Sequence, residues 1–377
     1  MRTITCLGVA SLIWVLVLGQ WYRPDPSAVL DHQKVSTEAH LIARRQVALF
    51  QKSDPSTTLN PEWALMTRAF VAWGFANLAM REPARKDELL PLIDKIIETT
   101  EADEAKGGAS AFLLGYGRRM ETSLFVDSEI ALMLGLRRMV EDRPDYKEKM
   151  HQRLDAMSAR MSNNPLNSDP SYPDDCWTFD HSVALAAMKA GDVLDGTDHS
   201  ELMKKWLAVA KAQLTDRDTG MLVSDYNMRG KFRDGPEGSS IWLAATMLKV
   251  VDEPFAKKQY ELAKKHLAHS IARFGLAREW PKGAGGKMDI DSGIQIPLVE
   301  ASPSSSGFAL VAAATFSDRE LLTRLLASLD YAGFPEKDAT GLTYSAGNEM
   351  GDAVLLYALT QGPAWDRLQH SKMEARR

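Results

Sequence analysis

The chain has 377 residues, of which 45% are hydrophobic and 25% charged, the proportions of an ordinary globular protein. Its net charge of −5 comes from well-mixed acidic and basic side chains, and no Lys/Arg stripe indicates a nucleic-acid partner. Two cysteines, Cys6 and Cys176, are too few for a disulfide framework, so we expect Cys176 to be a free thiol.

The N-terminal segment is apolar. Residues 4–19 carry no charge, and Trp21, Tyr22 and Arg23 follow them. The pattern fits a cleavable signal peptide or, in the interpretation we prefer, an uncleaved membrane anchor over residues 1–23. Both interpretations predict an exported body, which is either held at the inner membrane facing the periplasm or exterior, or secreted after cleavage.

The rest of the chain is predicted to be helical. Residues 24–34 are polar and contain proline, as in a linker. Helical periodicity follows, with no convincing alternating strand, and we assign residues 35–365 to one domain and 366–377 to a polar tail. The twelve predicted helices span roughly residues 36–52, 61–81, 85–103, 121–141, 145–162, 177–194, 199–214, 238–252, 255–274, 304–316, 318–330 and 349–361.

Two kinds of helix alternate in this series. Segments such as "SVALAAMKAGDVL" and "SSIWLAATMLKVV" are apolar on nearly every side, whereas "PDYKEKMHQRLDAMSARM" has a charged face. A helix that is apolar all round must be surrounded by protein. About six pairs therefore predict an all-α (α/α)6 toroid, in which an outer ring of helices encloses an inner ring around a central cavity. An irregular helical bundle is the alternative.

The segments that enter the inner helices concentrate acidic and aromatic side chains. Three of them are "SYPDDCWTFDHSV", "SDYNMRGKFRDGPEGSSIW" and "KMDIDSGIQIPLVEASPSSSGFAL", and a fourth is "FVDSEIALMLGL" with Asp127 and Glu129. The candidate catalytic residues are Asp174, Asp175, Asp180, Glu237, Asp291 and Glu129. The candidate substrate-binding residues are Tyr172, Trp177, His181, Tyr226 and Trp242.

Each of these residues also has a structural interpretation. Single aspartates cap helices, Asp291-Ser-Gly suits a turn, and the aromatic and histidine side chains suit a core. Caps do not account for so many acids, and crowded carboxyl groups raise one another's pKa. Such a set supplies a protonated acid and an ionised base at neutral pH. We predict no cofactor and no metal, because Ile294 stands where a calcium loop requires glycine.

Several sequence segments between about residues 60 and 330 resemble the linalool dehydratase/isomerase family. They are "NNPLNSDPSYPDDCWTFDHSVALAAM", "VLDGTDHSELMKKWLAVAKAQLTDRDTGM" and "DIDSG…SPSSSGFALVAAATFSD". The resemblance implies an (α/α)6 barrel and the position of its pocket. The family's cysteine positions fall near Pro170–Ser171 and at Asp180, and its histidine position falls at Glu129, so the thiol chemistry does not carry over.

Three functions remain open from the sequence. The first is an exported, membrane-tethered enzyme, a glycoside hydrolase or lyase, which uses carboxylate acid/base catalysis on a glycan or another polyhydroxylated substrate. The second is a hydro-lyase or isomerase that acts on an alkenol. The third is a non-catalytic module that binds a glycan or an envelope partner. The oligomeric state is open.

Overall fold

A computed structural model describes residues 2–114, 119–286 and 294–374. Its α-helices are α1 (Arg2–Trp21), α2 (Ser27–Leu30), α3 (Thr37–Lys52), α4 (Pro61–Arg81), α5 (Lys86–Gly107), α6 (Leu124–Val140), α7 (Pro144–Ser162), α8 (Thr178–Asp195), α9 (Ser200–Gln213), α10 (Gly238–Leu248), α11 (Glu253–His266), α12 (Pro303–Thr315), α13 (Arg319–Ala332), α14 (Glu349–Thr360) and α15 (Pro363–Glu374). Three short 3₁₀ helices span Pro55–Thr58, Pro83–Arg85 and Gly108–Ala111.

The strands are short and lie between helices. They are β1 (Cys176–Trp177), β2 (Asp225–Tyr226), β3 (Phe232–Asp234), β4 (Ala268–Ile271), β5 (Phe274–Ala277), β6 (Pro335–Asp338) and β7 (Gly341–Tyr344). They form one three-stranded antiparallel sheet, in the order β1-β2-β3, and two hairpins, β4-β5 and β6-β7.

Six helices form a closed inner ring. In the order α4, α6, α8, α10, α12 and α14, each helix packs against the next, and α14 returns to α4. The sequence dictates this position, because every residue of α6 and of α10 is buried and only a place inside the ring covers all faces of a helix. The (α/α)6 architecture predicted from the sequence is confirmed for the described residues.

The remaining helices of the barrel form the outer layer, in which α3, α5, α7, α9, α11 and α13 each precede an inner helix in the chain. Helix α7 is typical of them. It buries a single stripe at three- and four-residue spacing, made of Tyr146, Met150, Leu154, Met157 and Met161. Its other faces are charged, as expected for a helix with one side on the core and one in water.

One predicted helix is too long. The segment expected to be helical over residues 255–274 ends its helix at His266, and a β-hairpin of β4 and β5 follows. Ala272, at the turn of this hairpin, has a φ of 54°. Gly275 lies so close to α13 that a Cβ would sit 2.7 Å from the Cβ of Arg324. This close packing is a tertiary contact that helical periodicity cannot register.

The predicted linker is packed against the barrel. It contains the short helix α2, whose Val29 side chain is buried. The guanidinium group of Arg81, at the end of α4, donates hydrogen bonds to five backbone carbonyl oxygens, those of Ala28, Val29, Asp31, Lys34 and Gln361. Residues 24–34 are therefore held at the C-terminal end of the inner ring.

The predicted polar tail is helical in its described part. Residues 363–374 form α15, and Trp365 and Leu368 are buried. The indole N–H of Trp365 donates to the Thr246 carbonyl oxygen at 2.8 Å, which fixes α15 against α10. These apolar side chains dock α15 on the barrel although most of its residues are polar.

The N-terminal helix α1 exposes apolar side chains, including Ile4, Leu7 and Trp14. Within the part of the chain that the structure describes, no helix has the length and hydropathy required to cross a membrane. The membrane segment predicted at residues 1–23 is not supported.

Candidate active site

A cavity of about 630 Å³ opens where the six inner helices begin. Every inner helix contributes to its wall from its first two turns or from the segment just before them. The acidic residues of the wall are Glu62 and Asp180, and the aromatic residues are Trp63, Phe125, Tyr172, Trp177, Phe179 and Phe308. Its other polar side chains are Asn60, Ser239, Ser240, Ser304 and Asn348.

The small sheet β1-β2-β3 fixes two of the acidic segments beside this cavity. Cys176 pairs with Tyr226 and Trp177 with Asp225, so the segment before α8 is joined to the segment before α10. The hydroxyl of Thr178 also donates to the carbonyl oxygen of Val223 at 2.6 Å. Residues far apart in sequence therefore meet at the start of α8, as the toroid predicts.

Asp180 is the predicted acid that the cavity contains. It lies in the first turn of α8 and is only 3% exposed. Its pKa is raised to about 7, chiefly because burial penalises the charged form. The Ser171 hydroxyl acts in the opposite direction, and the nearby carboxyl groups of Glu62 and Asp225 raise the pKa further. At neutral pH this carboxyl group is protonated in a large fraction of the molecules.

Glu62 was missed by the sequence analysis. It follows Asn60 and Pro61, which were interpreted only as the start of a helix, and it is 1% exposed. One carboxylate oxygen accepts a hydrogen bond from the backbone N–H of Leu114 at 3.0 Å. This bond and the positive end of α4 stabilise negative charge on Glu62, whereas its burial and the nearby carboxyl group of Asp180 act against that charge. The sequence feature that could have identified Glu62 is an acid in the first turn of a mostly apolar helix.

Glu129 lies deeper than the cavity wall, in the second turn of α6. It is completely buried, and among the described residues neither carboxyl oxygen has a hydrogen-bond partner. Burial, and then the neighbouring Asp180, raise the pKa of Glu129 well above its usual range. Asp127, two residues earlier, forms ion pairs with Arg153 and Arg160 of α7. Spacing of two places the two acids on different faces of α6.

Asp225 is a second acid that the sequence analysis did not select. It lies on β2 beside Trp177 and contributes to the raised pKa of Asp180. From the segment that contains Asp225, only Tyr226, Glu237 and Trp242 were selected. Only the register of the small sheet identifies which of Asp225 and Tyr226 is near Asp180.

The other predicted acids lie elsewhere. Asp174 and Asp175 form ion pairs with Arg233 of β3, at 3.0 Å and 2.5 Å, and neither is among the residues that line the cavity. Asp174 has a φ of 65°, so it serves the turn that precedes β1. Glu237 is buried at the start of α10 behind the wall, where its backbone N–H donates to the Ser224 hydroxyl. Asp291 lies outside the described residues.

Two of the five predicted substrate-binding residues line the cavity. Tyr172 stacks on Phe125 with ring centroids 6.3 Å apart, and Trp177 meets the edge of Tyr172 at 6.5 Å. Together with Trp63 they form an aromatic wall beside Glu62 and Asp180.

The other three are core residues. His181 donates from Nδ1 to the Trp177 carbonyl oxygen and accepts at Nε2 from the backbone N–H of Asp169. Burial lowers the pKa of His181 to about 4, so the ring stays neutral. Tyr226 shares a hydrogen bond with the Ser168 hydroxyl, and Trp242 donates to the Ser305 hydroxyl. The sequence does not separate these two groups, because an aromatic or histidine side chain near a helix start has the same sequence pattern whether it packs in the core or lines the cavity.

Glu279 supports one side of the cavity and was also missed. Its carboxylate accepts hydrogen bonds from the hydroxyl and backbone N–H of Ser239 and from the hydroxyl of Ser302. Ser239 belongs to the cavity wall on α10, and Ser302 is the residue before α12. A single buried acid therefore holds the starts of two inner helices together.

Cys176 is a buried free thiol, as predicted. Burial raises the pKa of this thiol, which makes it a poor nucleophile. Among the described residues no group of three or more His, Cys, Asp or Glu side chains has an arrangement suited to a metal ion.

The closed double ring with a cavity at the helix starts defines an (α/α)-barrel protein. No protein-family model matches the sequence, and no curated protein matches it. The likeness to the linalool dehydratase/isomerase family therefore stays a prediction.

Two solved structures share the fold. One is a GH76 alpha-mannanase from Bacteroides thetaiotaomicron, with a TM-score of 0.50 and 9% identity over 81% of this chain and 87% of that one. The other is a glycoside hydrolase from family 105 of C. acetobutylicum ATCC 824, with a TM-score of 0.51 and 12% identity over 88% of this chain and 99% of that one. At these identities the likeness concerns the fold alone.

Proposed function

We propose that this protein is an enzyme that cleaves a glycosidic bond, with Asp180 as the general acid and Glu62 as the partner carboxylate. One observation carries the proposal. Two acids in a single cavity have different environments, because Asp180 has a pKa of about 7 while Glu62 is hydrogen-bonded in a way that favours its charge. A pair of carboxyl groups with separated proton affinities is what acid/base chemistry at neutral pH requires.

The reaction follows from these two roles. Protonated Asp180 donates its proton to the glycosidic oxygen while the bond from that oxygen to the anomeric carbon breaks. The Glu62 carboxylate either removes a proton from a water molecule that attacks the anomeric carbon, or attacks that carbon itself before water releases the product. The distance between the two carboxyl groups with substrate bound decides between inversion and retention.

The aromatic wall gives the substrate a place to lie. Trp63, Tyr172 and Trp177 line the cavity that also contains the two acids, and Trp177 meets the edge of the Tyr172 ring. Sugar rings expose C–H groups on their faces and hydroxyl groups at their rims, so an aromatic face with a few polar groups around it binds them well. Ser239, Ser240 and Asn348 supply such polar groups.

The fold supports the same class of reaction by analogy only. Two structures that share the barrel are a mannanase and another glycoside hydrolase. One fold hosts many chemistries, so this likeness adds weight to the carboxyl pair without replacing it. The gathering of Glu62, Asp180 and Glu129 also favours catalysis over a non-catalytic binding module, in which acids only cap helices.

The release of reducing sugar from a panel of unactivated oligosaccharides tests the proposal, because the sugar oxygen that leaves in these substrates requires a proton from the general acid. We expect Asp180→Asn and Glu62→Gln each to lower kcat by about a hundredfold or more, the usual effect of removing an acid or base. Asp174→Asn is the matched control, because it removes an aspartate of the same segment that pairs with Arg233 outside the cavity. Full activity of Asp180→Asn on the substrate found would contradict the assignment.

An alkenol hydro-lyase is the second candidate, and the apolar share of the wall favours it. Met66, Phe125, Phe179, Phe308 and Val354 surround the two acids. In this reaction Asp180 protonates the departing hydroxyl group, water leaves, and Glu62 takes a proton from the adjacent carbon to form the alkene. Incubation with alkenols, followed by detection of dienes, separates it from glycoside cleavage. Export and membrane tethering stay predictions for either function.

A further inference from the structure

The charges around the cavity are of one sign. Among the described residues of its wall, Glu62 and Asp180 are acidic and none is a lysine or arginine. Behind the wall lie the carboxyl groups of Glu129 and Asp225, which both interact electrostatically with Asp180. Because the raised pKa of Glu129 keeps it uncharged, the negative charge beside a bound ligand comes from Glu62 and from the ionised fraction of Asp180, and no cationic side chain of the described wall opposes it.

The helix starts offer little compensation to an anion. A helix N-terminus binds anions through backbone N–H groups that have no other partner. Here the side chains of Asn60, Ser302 and Asn348 accept hydrogen bonds from first-turn N–H groups of α4, α12 and α14. At α6, α8 and α10, which have no such side-chain cap, the first N–H group donates to the carbonyl oxygen of Pro170, Ser224 or Glu279. Each of the six helix starts therefore has at least one N–H group satisfied by the protein, which leaves fewer of these groups for a carboxylate or a sulfate.

Two arginines of the neighbouring segments are paired with carboxyl groups. Arg233 on β3 pairs with Asp174 and Asp175. Arg278, which follows β5, pairs with Glu300 at 2.7 Å. Neither residue belongs to the cavity wall.

We propose that the cavity selects its substrate by charge, accepting uncharged or amine-bearing sugars and rejecting sugars that carry a carboxylate or a sulfate. That the substrate is a sugar rests on the proposed function, whereas the charge selection rests on the cavity alone. A carboxylate brought beside Glu62 meets a like charge in surroundings that screen it poorly. A protonated amine in the same place gains an ion pair.

Matched sugars provide the first test. The binding of methyl glucoside, methyl glucosaminide and methyl glucuronide to the full chain is measured by calorimetry at neutral pH. We expect the glucuronide to bind at least about tenfold more weakly than the glucosaminide, a difference that a single charge interaction readily supplies. Equal or tighter binding of the glucuronide overturns the inference and leaves the proposed function standing.

A second set of probes removes the dependence on sugar recognition. Benzylamine, benzyl alcohol and benzoate have nearly the same shape and differ in charge, and an apolar wall accepts all three. We expect the affinity to fall in that order for the wild type. The ratio of benzylamine to benzoate affinity should shrink in Glu62→Gln and stay unchanged in Asp174→Asn, which removes an equal charge outside the cavity.

Failure of the proposed function and failure of the charge selection give different binding results. If no sugar binds and benzylamine still exceeds benzoate, the proposed function fails and the charge selection stands. If benzoate binds as tightly as benzylamine, or if none of the three aromatic probes binds, the charge selection is overturned.

Discussion

Glu62 of α4 raises the pKa of Asp180 of α8, although α6 stands between these two helices in the inner ring. Both residues lie in the first turn of their helix, so both side chains reach the space at the helix starts. The toroid therefore brings together acids from two helices that are not neighbours in the ring. Both side chains are buried, and Glu62 differs from Asp180 in accepting a hydrogen bond from the backbone N–H of Leu114.

The pH dependence of activity follows from Asp180. If its protonated form is required, kcat should fall tenfold for each pH unit above its pKa of about 7, and it should fall again at acid pH, where the Glu62 carboxylate takes up a proton. A pH–rate profile with the identified substrate measures this directly. An activity that is lost as the pH rises between 4 and 5 instead would assign the general acid to an ordinary carboxyl group.

Glu129→Gln should increase stability, and by more as the pH rises. The pKa of Glu129 is raised in the folded state, so the folded protein holds a proton that the unfolded chain releases above about pH 4.5. Wild-type stability therefore falls as the pH rises from that value towards the folded pKa, by on the order of 1 kcal/mol per pH unit, and the glutamine variant lacks this loss.

Urea denaturation at several pH values measures the difference. Glu141→Gln is the control, because it removes an exposed glutamate at the end of the same helix. A stability difference between Glu129→Gln and wild type that does not grow with pH would show that Glu129 is not a buried neutral acid.

Arg81→Lys should destabilise the fold by about 2–4 kcal/mol, since a lysine cannot satisfy the carbonyl groups that the guanidinium binds. It should also expose the chain to trypsin after Lys34, because the hydrogen bonds of Arg81 no longer hold this segment at the C-terminal end of the inner ring. Thermal unfolding and limited proteolysis measure the two effects. Arg85→Lys, where the guanidinium pairs with Glu88, is the control. Equal unfolding temperatures and equal rates of proteolysis for the two variants would show that the hydrogen bonds of Arg81 do not hold this segment.

Glu279→Gln should weaken substrate binding more than it slows the reaction. A glutamine has one acceptor oxygen, so either Ser239 or Ser302 loses its partner and the wall between α10 and α12 loosens. We expect KM to rise about threefold to tenfold with a smaller change in kcat, the scale of one lost hydrogen bond. Glu300→Gln serves as the control, and a fall in kcat at constant KM would contradict this positioning role.

The barrel could be predicted from the sequence because the patterns that indicate its helices are local. Caps such as Asn60 and Asp318, together with all-apolar and one-faced helices, define most elements within a few residues. The β4–β5 hairpin and α15 were missed, because they depend on contacts with α13 and α10. Such contacts exist only once the ring has closed.

The site was predicted less completely for a related reason. Asp180, Tyr172 and Trp177 were found from the density of acids and rings before α8. Glu62 was missed, because an acid in a first turn is common and has a sufficient explanation in the helix dipole. His181 and Trp242 were assigned to the cavity, since a ring at a helix start faces either the cavity or the neighbouring helix and only the packing decides.

The titration of Asp180 tests the central claim most directly. With ¹³C-labelled aspartate, the carboxyl resonance that disappears in Asp180→Asn can be followed by NMR as the pH is changed. We predict a midpoint near 7 in the wild type and a lower one in Glu62→Gln, because that variant removes a neighbouring negative charge. A wild-type midpoint near the ordinary 3.8, unchanged in Glu62→Gln, would contradict the account.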